Sequence, residues 1–137
     1  MQSAIYLITP FAAWLVAGCL KFAINSLRAG RPAFGLIGYG GLPSNHSAIV
    51  SSTAALIALR EGMAHPAFGV AVTLAFIVML DANSLRRQIG RHAEAINKMR
   101  DDSEKPLRER MGHTRVEIAA GIATGCVVAW ALNALMG

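Results

Sequence analysis

Four apolar runs without a charged side chain, at residues 4–20, 47–59, 67–80 and 118–136, divide this chain and leave it few ways to fold. A spanning helix needs about 20 residues to cross a hydrocarbon layer ~30 Å thick. The first and fourth runs approach that length. The second and third are short for it, so they are expected to extend into their polar flanks or to tilt. Lipid offers the backbone no hydrogen bonds, so such segments must be helices. Composition agrees: 54% of residues are hydrophobic and 15% charged, against roughly 25% charged in a soluble domain. The expectation is an all-α fold, a small polytopic membrane helical bundle of about four transmembrane helices with a cytoplasmic helical extension. Its 137 residues leave room for a single domain, 1–137. Residues 1–3 lack the basic region of a signal peptide and Lys21 follows the first run, so this segment is expected to stay in the mature protein. Cys19 and Cys126 each lie inside an apolar run and read as small apolar residues rather than a disulfide.

The connections carry the charge. Three basic residues follow the first run, nine follow the third, and only Arg60 stands between the second and third. Basic loops stay cytoplasmic, so both termini are expected to face away from the cytoplasm, and the location to be a bacterial cytoplasmic membrane. Residues 67–98 contain no proline, and Asp81, Leu85, Gln88 and His92 share one helix face, which predicts that the third helix continues beyond the membrane. Residues 101–106 read as a turn, followed by a short charged helix over 107–111 that Gly112 closes. Five glycines and Pro32 make 29–41 a loop.

Two segments carry chemistry, Gly41-Leu42-Pro43-Ser44-Asn45-His46-Ser47 and Gly112-His113-Thr114-Arg115-Val116-Glu117. Two histidines beside basic residues suit phosphoryl transfer: one attacks phosphorus, the other protonates the leaving oxygen, and cations hold the phosphate oxygens. Ser44 is a candidate N-cap, which turns the free N–H groups of the first turn, and His46, toward an anion. Glu117 lies four residues after His113, close enough to accept a hydrogen bond from the imidazole. Thr114 and Glu117 equally form a capping box at the start of the fourth helix, and the two readings stand side by side. Asp81, at the end of an apolar helix, needs a cation such as Arg86 or Arg87, and anchoring is the favoured role. His65 and His92 read as ordinary polar residues. Most of the basic run from Arg86 to Arg115 is explained by topology and attraction to anionic headgroups. A non-catalytic module that binds anionic lipid or phosphate, alone or as a subunit of a larger assembly, is the competing reading. A transporter would want ionisable groups deep in the apolar runs, which have none.

Taken in order, Lys21, Arg31, the His46 motif, Asp81 with Arg86-Arg87 and Gly90, and Gly112-His113-Thr114 with Glu117 resemble the divergent branch of the type-2 phosphatidic acid phosphatase superfamily, over nearly the whole chain. The resemblance implies a phosphohistidine at His113, with Glu117 in place of the orienting aspartate and His46 as general acid. It implies phosphate binding by Lys21, Arg31 and Ser44 with Arg86, Arg87 or Arg108, and support from Asp81 and Asn45. Asn45, His92 and Arg115 stand where that branch usually has Ser, Gln and Pro. The implied substrate is a phosphorylated lipid or isoprenoid, mono- or pyrophosphate. The other expected partners are the membrane and a second copy in a homodimer, with no nucleic acid. The mechanism requires no cofactor, although a divalent metal bridging Asp81, Glu117 and a histidine stays open.

Overall fold

The computed structural model describes residues 4–36, 41–100 and 105–136, and these are all-helical, with no strand among them. Helix α1 spans Ala4–Ala29, α2 Asn45–Arg60, α3 Pro66–Leu80, α4 Arg86–Asn97 and α5 Arg115–Met136. A single π-turn over Asp81–Leu85 joins α3 to α4, so the two form one 32-residue rod, as the proline-free run predicts. Three helical stretches are long and apolar enough to cross a membrane: α1, the α3–α4 rod and α5. The 16 residues of α2 reach only about 24 Å. This helix is instead the hub of the bundle, packed against α1, α3 and α5.

Small residues make that packing possible. At Gly121 an added Cβ would lie 2.4 Å from the Ser44 carbonyl oxygen, and at Gly125 it would lie 2.4 Å from that of Ala48. The Gly-x-x-x-Gly spacing brings the α5 backbone directly against α2, as in helix pairs whose interface forms in lipid. The buried hydroxyls of this core bond locally: Thr9 Oγ1 donates to Ile5 O and Ser52 Oγ to Ile49 O, so neither needs water. Large apolar side chains such as Phe11, Trp14, Phe76 and Trp130 remain exposed on the outside, where lipid would meet them.

Three expectations are corrected. The first helix does not stop at Leu20 but runs two turns beyond Lys21, through Asn25 to Ala29. Lys21 is half-buried inside the bundle, so its charge does not mark a helix end. The helix expected over 107–111 is absent: residues 105–111 are irregular. Asn97 offers this strap better partners than a helix would, accepting from Leu107 N (2.8 Å) and donating to Leu107 O (2.8 Å) and Glu109 Oε1 (2.9 Å). Gly112, with φ +90°, turns the chain into His113 rather than closing a helix. Most of the expected turn over 101–106 lies outside the described residues.

Candidate active site

The start of α2 and the start of α5 meet at one end of the bundle. Ser44 is the N-cap of α2, and its Oγ accepts from Ser47 N at 3.3 Å. Its backbone N–H donates to Glu117 O at 2.9 Å, which joins the two histidine segments directly. The imidazole rings of His46 and His113 lie edge-on with centroids 5.6 Å apart, close enough for one phosphoryl group to touch both.

His113 is fixed by two hydrogen bonds. Its backbone N–H donates to Ala82 O in the π-turn at 3.0 Å. Its Nδ1 lies 3.1 Å from Glu117 Oε2, and the ring is buried. A carboxylate can only accept here, so Nδ1 carries the hydrogen and Nε2 is the nitrogen left for chemistry. The same Glu117 oxygen accepts from Thr114 N at 3.0 Å, while Thr114 Oγ1 accepts from Glu117 N at 3.2 Å. The two readings of Glu117 are therefore both satisfied: one oxygen completes the capping box and orients the imidazole. Burial pushes the His113 pKa below its ordinary value, and the hydrogen bond to Glu117 pushes it partly back. At neutral pH the ring is held mainly in the neutral, nucleophilic form.

Both histidines line a cavity of about 730 Å³. Its polar end holds Lys21, Asn45, His46, Arg86, Arg108 and His113. Three cations around two imidazoles make an electropositive cup suited to a phosphate. Asn45 Oδ1, His46 Nδ1 and Arg86 Nε are buried and make no hydrogen bond within the protein, as expected where a ligand supplies the partners. Arg86 Nε stands 3.8 Å from Asp81 Oδ2, a distance that aims the guanidinium without saturating it. Among the described residues no group of three metal-ligating side chains occurs.

The remaining candidates fall outside the cup. Ser44 is fully buried and occupied with capping. Arg31 and Arg87 are exposed and do not line the cavity. The Arg87 stem packs on Gly112, where an added Cβ would sit 3.1 Å from its Cγ. Arg86 and Arg87 differ by about 100° around the helix, so one enters the cavity and the other cannot. Arg108 is delivered by the strap that Asn97 holds, and sequence spacing alone left it equal with its neighbours. His65 caps α3, its Nδ1 accepting from Ala67 N at 3.2 Å, and His92 is exposed on α4.

Comparison with known proteins gives the chain's family. The chain is 29% identical over 141 aligned positions to the "Uncharacterized membrane protein YuiD" of Bacillus subtilis (strain 168), with 89% of each chain covered. No solved structure matches it. A family model described as "Divergent PAP2 family" matches residues 2–128, which takes in every residue of the cup. The chain belongs to the divergent PAP2 family.

Proposed function

We propose that this membrane protein hydrolyses a phosphate or pyrophosphate ester of a lipid or isoprenoid through a phosphohistidine, with its site at the cytoplasmic interface. The observation that carries this reading is the cup itself, where His113, oriented by Glu117 at 3.1 Å, faces His46 amid Lys21, Arg86 and Arg108. His113 Nε2 attacks phosphorus, forming an N–P bond as the bond to the leaving oxygen breaks. Burial, Arg86 and His113 push the His46 pKa down before substrate binds, so it is the bound phosphate anion that holds His46 protonated, and His46 gives that proton to the leaving oxygen. Lys21 and Arg86 hold the equatorial oxygens and offset their growing charge. The carboxylate of Glu117 stabilises the positive charge that develops on the imidazole. A water molecule then attacks phosphorus, His46 takes its proton, and the N–P bond breaks to release phosphate and free His113. His46 loses one proton to the leaving group and regains one from the water, so the cycle closes without a resident cofactor.

The test is phosphate release by the purified protein from a panel of lipid phosphates and isoprenoid pyrophosphates, beside His113→Ala and with a chelator. Turnover that disappears in the variant and survives chelation is the expected result. Loss on chelation would place a metal in the mechanism. Lipid binding without turnover on any substrate would favour a module that only binds anionic lipid.

A further inference from the structure

An α-helix binds each backbone N–H to the carbonyl four residues earlier. Where α3 meets α4 the register slips by one, and Arg86 N–H donates to Asp81 O, five residues back. In an unbroken α-helix that N–H would belong to Ala82 O. The Ala82 carbonyl accepts instead from His113 N at 3.0 Å. Gly112 lies against the same turn, where an added Cβ would stand 3.3 Å from Arg87 N and 3.4 Å from Ala82 O. The chain therefore docks on the widened turn backbone to backbone, directly at the proposed nucleophile.

The slip also places a side chain. Residues five apart stand about 140° apart around an α-helix, too far for a carboxylate to meet a guanidinium. Hydrogen bonds that span five residues stack position 86 over position 81 instead. Asp81 Oδ2 comes to 3.8 Å from Arg86 Nε, and Arg86 lines the cup.

We propose that the π-turn Asp81–Leu85 is the positioning element of the site: the Ala82 carbonyl sets the backbone of His113, and Asp81 is the positioning residue of Arg86. This rests on the hydrolase reading and adds a reason for the five-residue turn. The attacking nitrogen and a cation that holds the phosphate keep their separation because both are fixed to one turn. Glu117 orients the ring from α5, while the Ala82 bond ties the same residue to the α3–α4 rod. Attack on phosphorus tolerates little error, since a displacement of about 1 Å can cost about 10²-fold in rate.

Deletion of Ser84 separates the two roles. Ser84 is exposed, and its Oγ donates to Leu80 O within its own rod at 2.8 Å. Without it Arg86 becomes the fourth residue after Asp81 and Arg87 the fourth after Ala82. A regular helix then keeps Asp81 and Arg86 on one face but hands Ala82 O to Arg87 N–H. The full chain in lipid nanodiscs is followed by hydrogen–deuterium exchange at the His113 amide, by steady-state hydrolysis of a long-chain alkyl phosphate, and by binding of inorganic phosphate. In the deletion variant the His113 amide should exchange about fivefold faster or more and kcat should fall about tenfold or more, with KM and phosphate affinity within about twofold of wild type. Asp81→Asn should show the opposite split, phosphate affinity weakened about fivefold and the His113 amide as protected as before. Unchanged His113 exchange in the deletion variant, or phosphate bound by Asp81→Asn as tightly as by the wild type or more so, would overturn the proposal. If the wild type turns over no alkyl phosphate, the hydrolase reading fails, while amide exchange and phosphate binding still judge the turn. Should the deletion variant fail to fold, Gly112→Ala, whose Cβ intrudes on Arg87 and Ala82 O, takes its place, and unchanged exchange at His113 refutes the docking.

Discussion

Gly121→Ala tests whether the site depends on the close meeting of α2 and α5. The new Cβ would lie 2.4 Å from Ser44 O, 3.2 Å from Ser44 C and 2.8 Å from Ser47 Cβ. Carbon–oxygen contacts in proteins settle near 3.3–3.6 Å, so α5 must retreat by about 1 Å. Overpacking of this kind costs about 1–3 kcal/mol. The same movement stretches the 2.9 Å bond from Ser44 N to Glu117 O, which adds about 0.5–1.5 kcal/mol if it breaks. Their sum is about 1.5–4.5 kcal/mol, and at ~3 °C per kcal/mol for a chain of this size the midpoint should fall by about 5–13 °C. Thermal unfolding in detergent micelles measures it, with Gly69→Ala as control, since nothing lies within 4 Å of a Cβ there. The control should match the wild type or exceed it slightly, because alanine is the better helix former. A Gly121→Ala midpoint within 2 °C of wild type, on the order of 0.5 kcal/mol, would refute the close approach.

Three further outcomes follow from the geometry. Glu117→Gln keeps an acceptor for both Thr114 N–H and His113 Nδ1–H but removes the charge that raises the His113 pKa. The pKa then falls further, and because the neutral ring attacks, the acidic limb of the kcat/KM profile should move to lower pH. The plateau should drop about fivefold, the difference of about 1 kcal/mol between a charged and a neutral hydrogen bond, and an acidic limb that moves upward would contradict the assignment. Lys21→Ala should lower kcat/KM at least tenfold while Arg31→Ala stays within about twofold, since only Lys21 lines the cup; equal losses in steady-state assays would argue against this cavity. Asn97→Ala removes the three bonds that Asn97 makes to the strap, so the Leu107 amide should exchange at least fivefold faster in hydrogen–deuterium exchange, and unchanged protection would show that the strap is held elsewhere.

Much of this molecule was legible in its sequence because lipid narrows the choices. Charge-free runs and proline-free continuity located the helices, and Ser44 and the Thr114–Glu117 pair marked helix starts that the caps confirm. The His46 and His113 segments were visible as motifs, although only the fold brings the rings within 5.6 Å. What was hidden depends on tertiary neighbours. Lys21 was counted in the connection after the first apolar run, but here it lies within α1 and its side chain faces a cavity lined by Asn45 and Arg86. Residues 107–111 were expected to form a short charged helix, yet an asparagine ten residues before Leu107 bonds the Leu107 backbone. The choice of Arg86 over Arg87 turns on helix phase, which spacing near a π-turn does not reveal. Gly121 and Gly125 are a sequence signal that could have been used, since glycines four apart in an apolar helix announce close packing.

The central claim is that His113 carries the phosphoryl group. The direct measurement is rapid acid-free quenching of the enzyme during turnover, followed by tandem mass spectrometry of the peptide around residue 113, with His113→Asn beside it. The account predicts phosphate on the His113 ring, labile to acid and stable to alkali, and none in the variant. Phosphate on another residue, or turnover retained by His113→Asn, would contradict it.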